Sequence, residues 1–171
     1  MADKLPQRKT SQKTSFQASA KFDPSNLAIE PKNITIVVST YNDEYTGALC
    51  DHAVAYLNKY CPTAKVATLP VPGAFEIPIA TKKATLSNPD FILTFGVIIQ
   101  GATAHADLIA QSVTQQLHQL SLDTMIPVIH EVLLVNDVQQ AHERCLGSLN
   151  RGEEAAAAGL MIHQTLATLQ S

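Results

Sequence analysis

Ile34-Thr-Ile-Val-Val-Ser-Thr40 is a continuous β-branched run. Such a run predicts a strand buried on both faces of a sheet. The pattern after it is regular. Residues 43–59 bring Ala48, Leu49, Ala53 and Leu57 to one face of a helix that stops before Pro62. A second strand over Lys65 to Leu69 leads into Pro70-Val71-Pro72-Gly73, a turn signal in which prolines fix φ and glycine frees it. Residues 75–86 resume helical periodicity, with Pro78 tolerable only in the first turn. Phe91 to Phe95 with Val97 to Ile99 forms a third strand, and 105–120 the next helix. Ile126 to Ile129 with Val132 to Val135 supplies a fourth strand, broken by His130-Glu131, before helices over 138–146 and 153–169.

Strands alternating with helices imply a parallel sheet with right-handed crossovers, hence an α/β three-layer sandwich: a flavodoxin-like four-stranded parallel sheet with helices on both faces. Such sheets take ligands beyond the carboxyl ends of their strands. Attention therefore falls on Ser39–Asn42, Val71–Glu76, Ile98–His105 and His130–Val135. The Ala155–Ala158 run allows the last helix to approach a neighbour closely, in this chain or another.

The 171 residues, 46% of them hydrophobic, suffice for one core and are too few for two ordinary domains. The domain is expected over 31–171. Residues 1–30 are expected as a flexible arm, whose first part sets Lys4, Arg8, Lys9, Lys13 and Lys21 against Asp3 alone. A transit peptide shares that composition, although no amphipathic stripe is evident. A net charge of −3, without a basic cluster longer than Lys82-Lys83, implies no nucleic-acid partner. No apolar run reaches membrane-spanning length, so no membrane association is expected. Cys50, Cys61 and Cys145 lack metal-ligand or disulfide spacing, which suits a reducing, cytoplasmic setting.

Several constellations could carry chemistry. Gln100-Gly-Ala-Thr-Ala-His105 places a glycine and a hydroxyl residue where a strand passes into a helix, exposing backbone N–H groups to an anion. The plainer alternative is that Gly101 shapes a turn and Thr103 caps the helix. His105 follows directly and is suited to moving protons near neutral pH. No histidine pair or Cys/His set has metal-site spacing. Arg144 and Arg151 could present donor forks to a phosphate or merely answer helix ends. Glu76, among the apolar residues Ala74 and Phe75, needs a partner and could accept from sugar-like hydroxyls. Tyr41-Asn42 offers a flat ring and an amide to a planar polar heterocycle.

Two segments carry a resemblance to a known family. Val71-Pro-Gly-Ala-Phe-Glu-Ile-Pro78 is similar to the VPGAFEIP segment of the lumazine synthases, and Gly96-Val-Ile-Ile-Gln-Gly-Ala-Thr-Ala-His105 resembles their G-x-V-I-x-G-x-T-x-H segment. Tyr41-Asn42, Glu143-Arg144 and Asn150-Arg151-Gly152 fall in the family's order, so the likeness spans roughly residues 32–168.

The resemblance implies condensation of 5-amino-6-(D-ribitylamino)uracil with 3,4-dihydroxy-2-butanone 4-phosphate to 6,7-dimethyl-8-ribityllumazine, phosphate and water, without metal or organic cofactor. It implies that Tyr41 stacks on the uracil, that Asn42, Ala74 and Glu76 beside Phe75 hold the ribityl chain, and that Ile98 and Ile99 contact the pyrimidine through backbone groups. Gly101, Ala102 and Thr103 would hold phosphate, Arg144 would complete that site from a neighbouring subunit, and His105 would shuttle protons. His130 and Arg151 join the substrate-binding set. The implied assembly is a homopentamer, in many relatives one of twelve in an icosahedral shell, with riboflavin synthase as a candidate partner. The short Gly147–Asn150 loop lacks the insertion associated with free pentamers.

The chain also departs from the family pattern. Ala106 and Leu108 stand where aromatics are usual, His130-Glu131 replaces Phe-Gly on the wall shared between subunits, Leu134–Asp137 replaces a Thr-rich stretch, the loop after Arg144 is one residue shorter, and Arg151 stands where Lys is common. These departures motivate the alternative of a non-catalytic or repurposed homologue that forms a shell or binds ribityllumazine or a flavin. A flavodoxin-like electron carrier would instead need a Ser/Thr-rich loop after its first strand, where this chain has the acidic, bulky Ser39–Glu44.

Overall fold

The structure, a computed structural model, describes residues 22–148 and 150–169. Its strands β1 (Asn33–Ser39), β2 (Lys65–Val71), β3 (Phe91–Ile99) and β4 (Val128–Val135) form one parallel sheet in the order β2-β1-β3-β4. Helices α1 (Asp43–Tyr60), α4 (Val138–Cys145) and α5 (Arg151–Ala167) cover one face, and α2 (Ile77–Thr85) and α3 (His105–Thr124) the other. The α/β sandwich is therefore the flavodoxin-like arrangement.

Side-chain alternation divides the core between the two faces. Ile34, Ile36, Val38, Phe91, Leu93 and Phe95 pack towards α1 and α5, whereas Val37, Ile92 and Val132 pack towards α2 and α3. The small residues of α5 meet α1 in the same chain. A Cβ at Gly152 would stand 2.1 Å from the Leu49 carbonyl oxygen, and one at Gly159 would stand 2.5 Å from the Phe91 ring. These two glycines are there for contact.

Two boundaries differ from expectation. Strand β2 continues through Pro70 to Val71, because it lies at the sheet edge, where a missing N–H need not break a ladder. Strand β4 is not broken at His130-Glu131: His130 pairs with Thr94 and Glu131 with Phe95. Each polar side chain finds a partner on its own face. His130 meets Thr114 of α3 at 2.9 Å, and Glu131 accepts from Arg151 of α5 at 2.8 Å.

The packed chain also begins before residue 31. Phe22 and Leu27 pack on the α1/α5 side of the core. Gln164 accepts from the Ala28 N–H at 2.9 Å and donates to the Ile29 carbonyl. The expectation of an arm or transit peptide over residues 1–21 lies outside the described residues.

Candidate active site

Strand order reverses between β1 and β3, and that crevice is where an open α/β sheet receives a ligand. A cavity of about 540 Å³ opens there, within the range of small-molecule sites. Three chain segments meet at it.

The first is the end of β1. Asn42 adopts φ 60 and ψ 44, a left-handed conformation that asparagine tolerates. Its carbonyl accepts from the Tyr45 and Thr46 N–H groups at the start of α1, while its Nδ2 donates to the Val97 carbonyl at 2.8 Å. The side chain thus ties the β1 exit to β3 and keeps Oδ1 for another donor. Tyr41 is 71% exposed at the cavity mouth, a ring face offered to solvent.

The second segment follows β2. Gly73 is extended rather than left-handed, and Ala74–Glu76 form a single 3₁₀ turn that runs into α2, with Pro78 in its first turn. Phe75 and the half-buried Glu76 line the cavity. A Cβ at Gly73 would stand 3.1 Å from Glu76 Oε2, so a side chain there would crowd the carboxylate. No protein group among the described residues hydrogen-bonds the Glu76 side chain. A second cavity of about 560 Å³ between α2 and α3 shares Phe75 and Glu76 but has neither the β1 exit nor the loop before α3.

The third segment is Gln100–His105. The α3 N-cap is Ala104, and no side chain caps the helix, so Thr103 does not act as the cap. The first-turn N–H groups remain open, at the end of the helix that favours an anion. Gly101 has no left-handed φ, and a Cβ there would meet no atom of the described residues within 4 Å beyond its own chain neighbours. Neither turn geometry nor internal packing accounts for the glycine; the space beside it is free for another molecule. Gln100 Nε2 donates to Asp107 at 3.1 Å and spans the loop. His105 lines the cavity, exposed and without a hydrogen-bond partner among the described residues.

Tyr41, Asn42, Ala74, Phe75, Glu76, Ile98, Ile99, Gly101, Thr103 and His105 all line this one cavity. The family model for 6,7-dimethyl-8-ribityllumazine synthase matches residues 31–167. The chain belongs to this family. It is 40% identical over 134 residues to a 6,7-dimethyl-8-ribityllumazine synthase of Chlorobium phaeobacteroides, an overlap of 77% of this chain and 86% of that one. The match to the enzyme of the same name from Chlorobium chlorochromatii is 38% over 133 residues, covering 76% of this chain and 86% of the relative. For that of Prosthecochloris aestuarii it is 39% over 128 residues, covering 73% and 83%.

Against this lumazine synthase frame, four expected site residues do not reach the cavity. Ala102 is exposed in the loop without lining it. His130 is on the α3 face of β4, exposed but engaged with Thr114, and partial desolvation lowers its pKa from the usual 6.5. Thr114 spends its hydroxyl proton on the Ala110 carbonyl at 2.8 Å, so it accepts from the imidazole Nε2–H. Arg144 is exposed in the last turn of α4, and Arg151 is held by Glu131 and Glu154, both in the layer of α4 and α5. The carboxylate of Glu131 is paired with Arg151 rather than with His130. Burial nonetheless pushes its pKa above the usual 4.5, against the opposing pull of Arg151.

Val97, Ala106 and Ile109 also line the cavity. Ile109 follows His105 by four residues, a helical spacing that puts both on one face and was legible in the sequence. The Val97 carbonyl, as acceptor for Asn42, had no signal there. Among the described residues, no group of His, Cys, Asp or Glu side chains is placed to hold a metal ion, and no helix is long and apolar enough to cross a membrane.

Proposed function

We infer that this chain condenses 5-amino-6-(D-ribitylamino)uracil with 3,4-dihydroxy-2-butanone 4-phosphate, forming 6,7-dimethyl-8-ribityllumazine, phosphate and water. The observation that carries the reading is the meeting of Val71–Pro78 and Gly96–His105 with the β1 exit at one cavity. Tyr41 stacks on the pyrimidine. The Asn42 amide and the Glu76 carboxylate, which lacks a partner among the described residues, take ribityl hydroxyls beside Ala74 and Phe75, while backbone groups of Ile98 and Ile99 meet the ring. The open N–H groups at Gly101–Thr103 receive the phosphate.

The aromatic amine attacks the ketone and loses water to form an imine. His105 then takes a proton from the carbon next to the imine as phosphate leaves, the uncapped α3 terminus stabilising the departing charge. The enol left by this elimination takes up a proton at its terminal carbon to become a methyl ketone, and attack of the ribitylamino nitrogen on that carbonyl with loss of a second water closes the ring. Holding two diffusible substrates in register supplies much of the acceleration.

The phosphate end is completed by Arg144 and Arg151 of an adjacent copy, with His130 on the wall between subunits. The working unit is a homopentamer, assembled further into a shell. Exposed apolar side chains on α2 and on α4, Ile79 at 68% and Val138 at 58%, support burial against other copies. Three buried, unpaired thiols support a reducing cytoplasmic setting.

The test mixes purified protein with both substrates and follows product absorbance, with His105→Ala alongside. Product well above the uncatalysed background, reduced in the variant, is expected. Background-level product from a folded oligomer that binds ribityllumazine would instead establish the repurposed homologue.

A further inference from the structure

The edge strand β4 carries a carboxyl group where the sheet offers almost no water to receive it. Glu131 is 6% exposed, the one buried acidic or basic side chain among the described residues. Burying such a group is costly unless a partner of good geometry comes with it. That partner is Arg151, whose Nε donates to Glu131 Oε1 at 2.8 Å while its Nη1 donates to Glu154. Its Nη2 donors have no partner among the described residues.

Arg151 stands where a cation does not settle unaided. It is the first residue of α5, at the end of the helix that disfavours positive charge. Asn150 fixes this start by accepting from the Gly152 N–H at 2.8 Å and donating to the carbonyl of Cys145, the last residue of α4. Arg144 stands one residue before Cys145, exposed, without an ion pair among the described residues, and near enough to act electrostatically on Glu131. Of the two described arginines, Arg151 is the one bonded to the buried carboxylate.

We propose that Glu131 is a positioning residue for phosphate recognition: it fixes Arg151 as a directed fork beside Arg144, and the two guanidiniums together receive the substrate phosphate. The proposal rests on the reaction assigned above, and Glu131 itself touches no substrate. Without the carboxylate, Arg151 would keep only the exposed Glu154 as a partner and sample more rotamers, so each bond to phosphate would carry a larger ordering cost.

Fork order and net charge make opposite predictions, which gives a clean test. Full-length wild type, Glu131→Ala, Glu131→Gln and Arg151→Gln are compared by calorimetric titration with inorganic phosphate and by steady-state kinetics in each substrate. Glu131→Gln keeps an acceptor for Arg151 and removes the negative charge; phosphate should bind as tightly as to wild type or a few-fold tighter. Glu131→Ala removes the acceptor and should weaken phosphate binding and raise KM for the phosphate substrate about tenfold, the size of a charge-assisted bond. Its kcat and its KM for the pyrimidine should stay within about twofold, a split that loose folding would not produce. Adding Glu131→Ala to Arg151→Gln should change nothing further. Should Glu131→Ala fail to fold, Glu131→Leu fills the volume and serves in its place.

Tighter phosphate binding by both Glu131 variants, or independent effects of Glu131 and Arg151, would overturn the positioning role. A wild type that binds phosphate but forms no lumazine would overturn the assigned reaction, and the calorimetric comparison would still decide the role of Glu131.

Discussion

The cavity between β1 and β3 and the edge strand β4 treat their polar groups in opposite ways. At the cavity, His105 and Glu76 have no hydrogen-bond partner among the described residues, α3 begins without a side-chain cap, and the space beside Gly101 is open. At β4, His130 is engaged by Thr114, and Glu131 by Arg151, itself shared with Glu154. The buried Glu131 needs its partner, and the exposed His130 has one as well, whereas the polar groups at the cavity remain available to a ligand. The difference separates side chains oriented by partners within the chain from side chains left open towards a cavity, even within one sheet.

The sharpest way to break this contrast is at His105. His105→Ala should lower kcat about 100-fold, the lower end of what proton transfer contributes, with no loss of folding stability. A decrease under about threefold would remove His105 from the chemistry. The next effect compares two glycines. Gly152→Ala, which forces a Cβ onto the Leu49 carbonyl, should cost about 1–3 kcal/mol or more in urea unfolding. Gly101→Ala should leave stability within about 0.5 kcal/mol and raise KM for the phosphate substrate. Equal stability losses would mean that Gly101, too, serves packing.

The smallest effects are slopes with pH. Partial desolvation lowers the pKa of the exposed His130 from 6.5, so the unfolded chain takes up the proton more readily. The associated stability is present above about pH 6.5 and lost as pH falls through the folded-state value. His130→Gln should flatten that part of the pH–stability curve. Burial raises the Glu131 pKa above 4.5, which gives the reverse sign: stability is present below about pH 4.5 and declines as pH rises through the folded-state value. Relative to wild type, Glu131→Gln should therefore gain stability from acid towards neutral pH. A flat difference curve for either variant would show that folding does not shift the titration of that group.

The β-branched run at Ile34, the helical periodicities and the two motif segments made most of the fold and most of the cavity lining legible, because each is a local pattern with a fixed period or spacing. His130-Glu131 misled for the same reason. Read locally, two polar residues interrupt a strand; in space, each is answered by a helix from a distant part of the chain, α3 on one face and α5 on the other. The polar pair is compatible with a strand only because both helices supply donors or acceptors at that register.

The sequence by itself determined the alternation of strands and helices, the family and the residues that could carry chemistry, since these depend on side-chain type and on spacing along the chain. Only the tertiary structure decided that Thr103 does not cap α3, that the Asn42 side chain bonds to β3, and that Arg151 is committed to Glu131. Each of these depends on which groups a three-dimensional packing brings within hydrogen-bond reach, and separation along the chain carries no record of that.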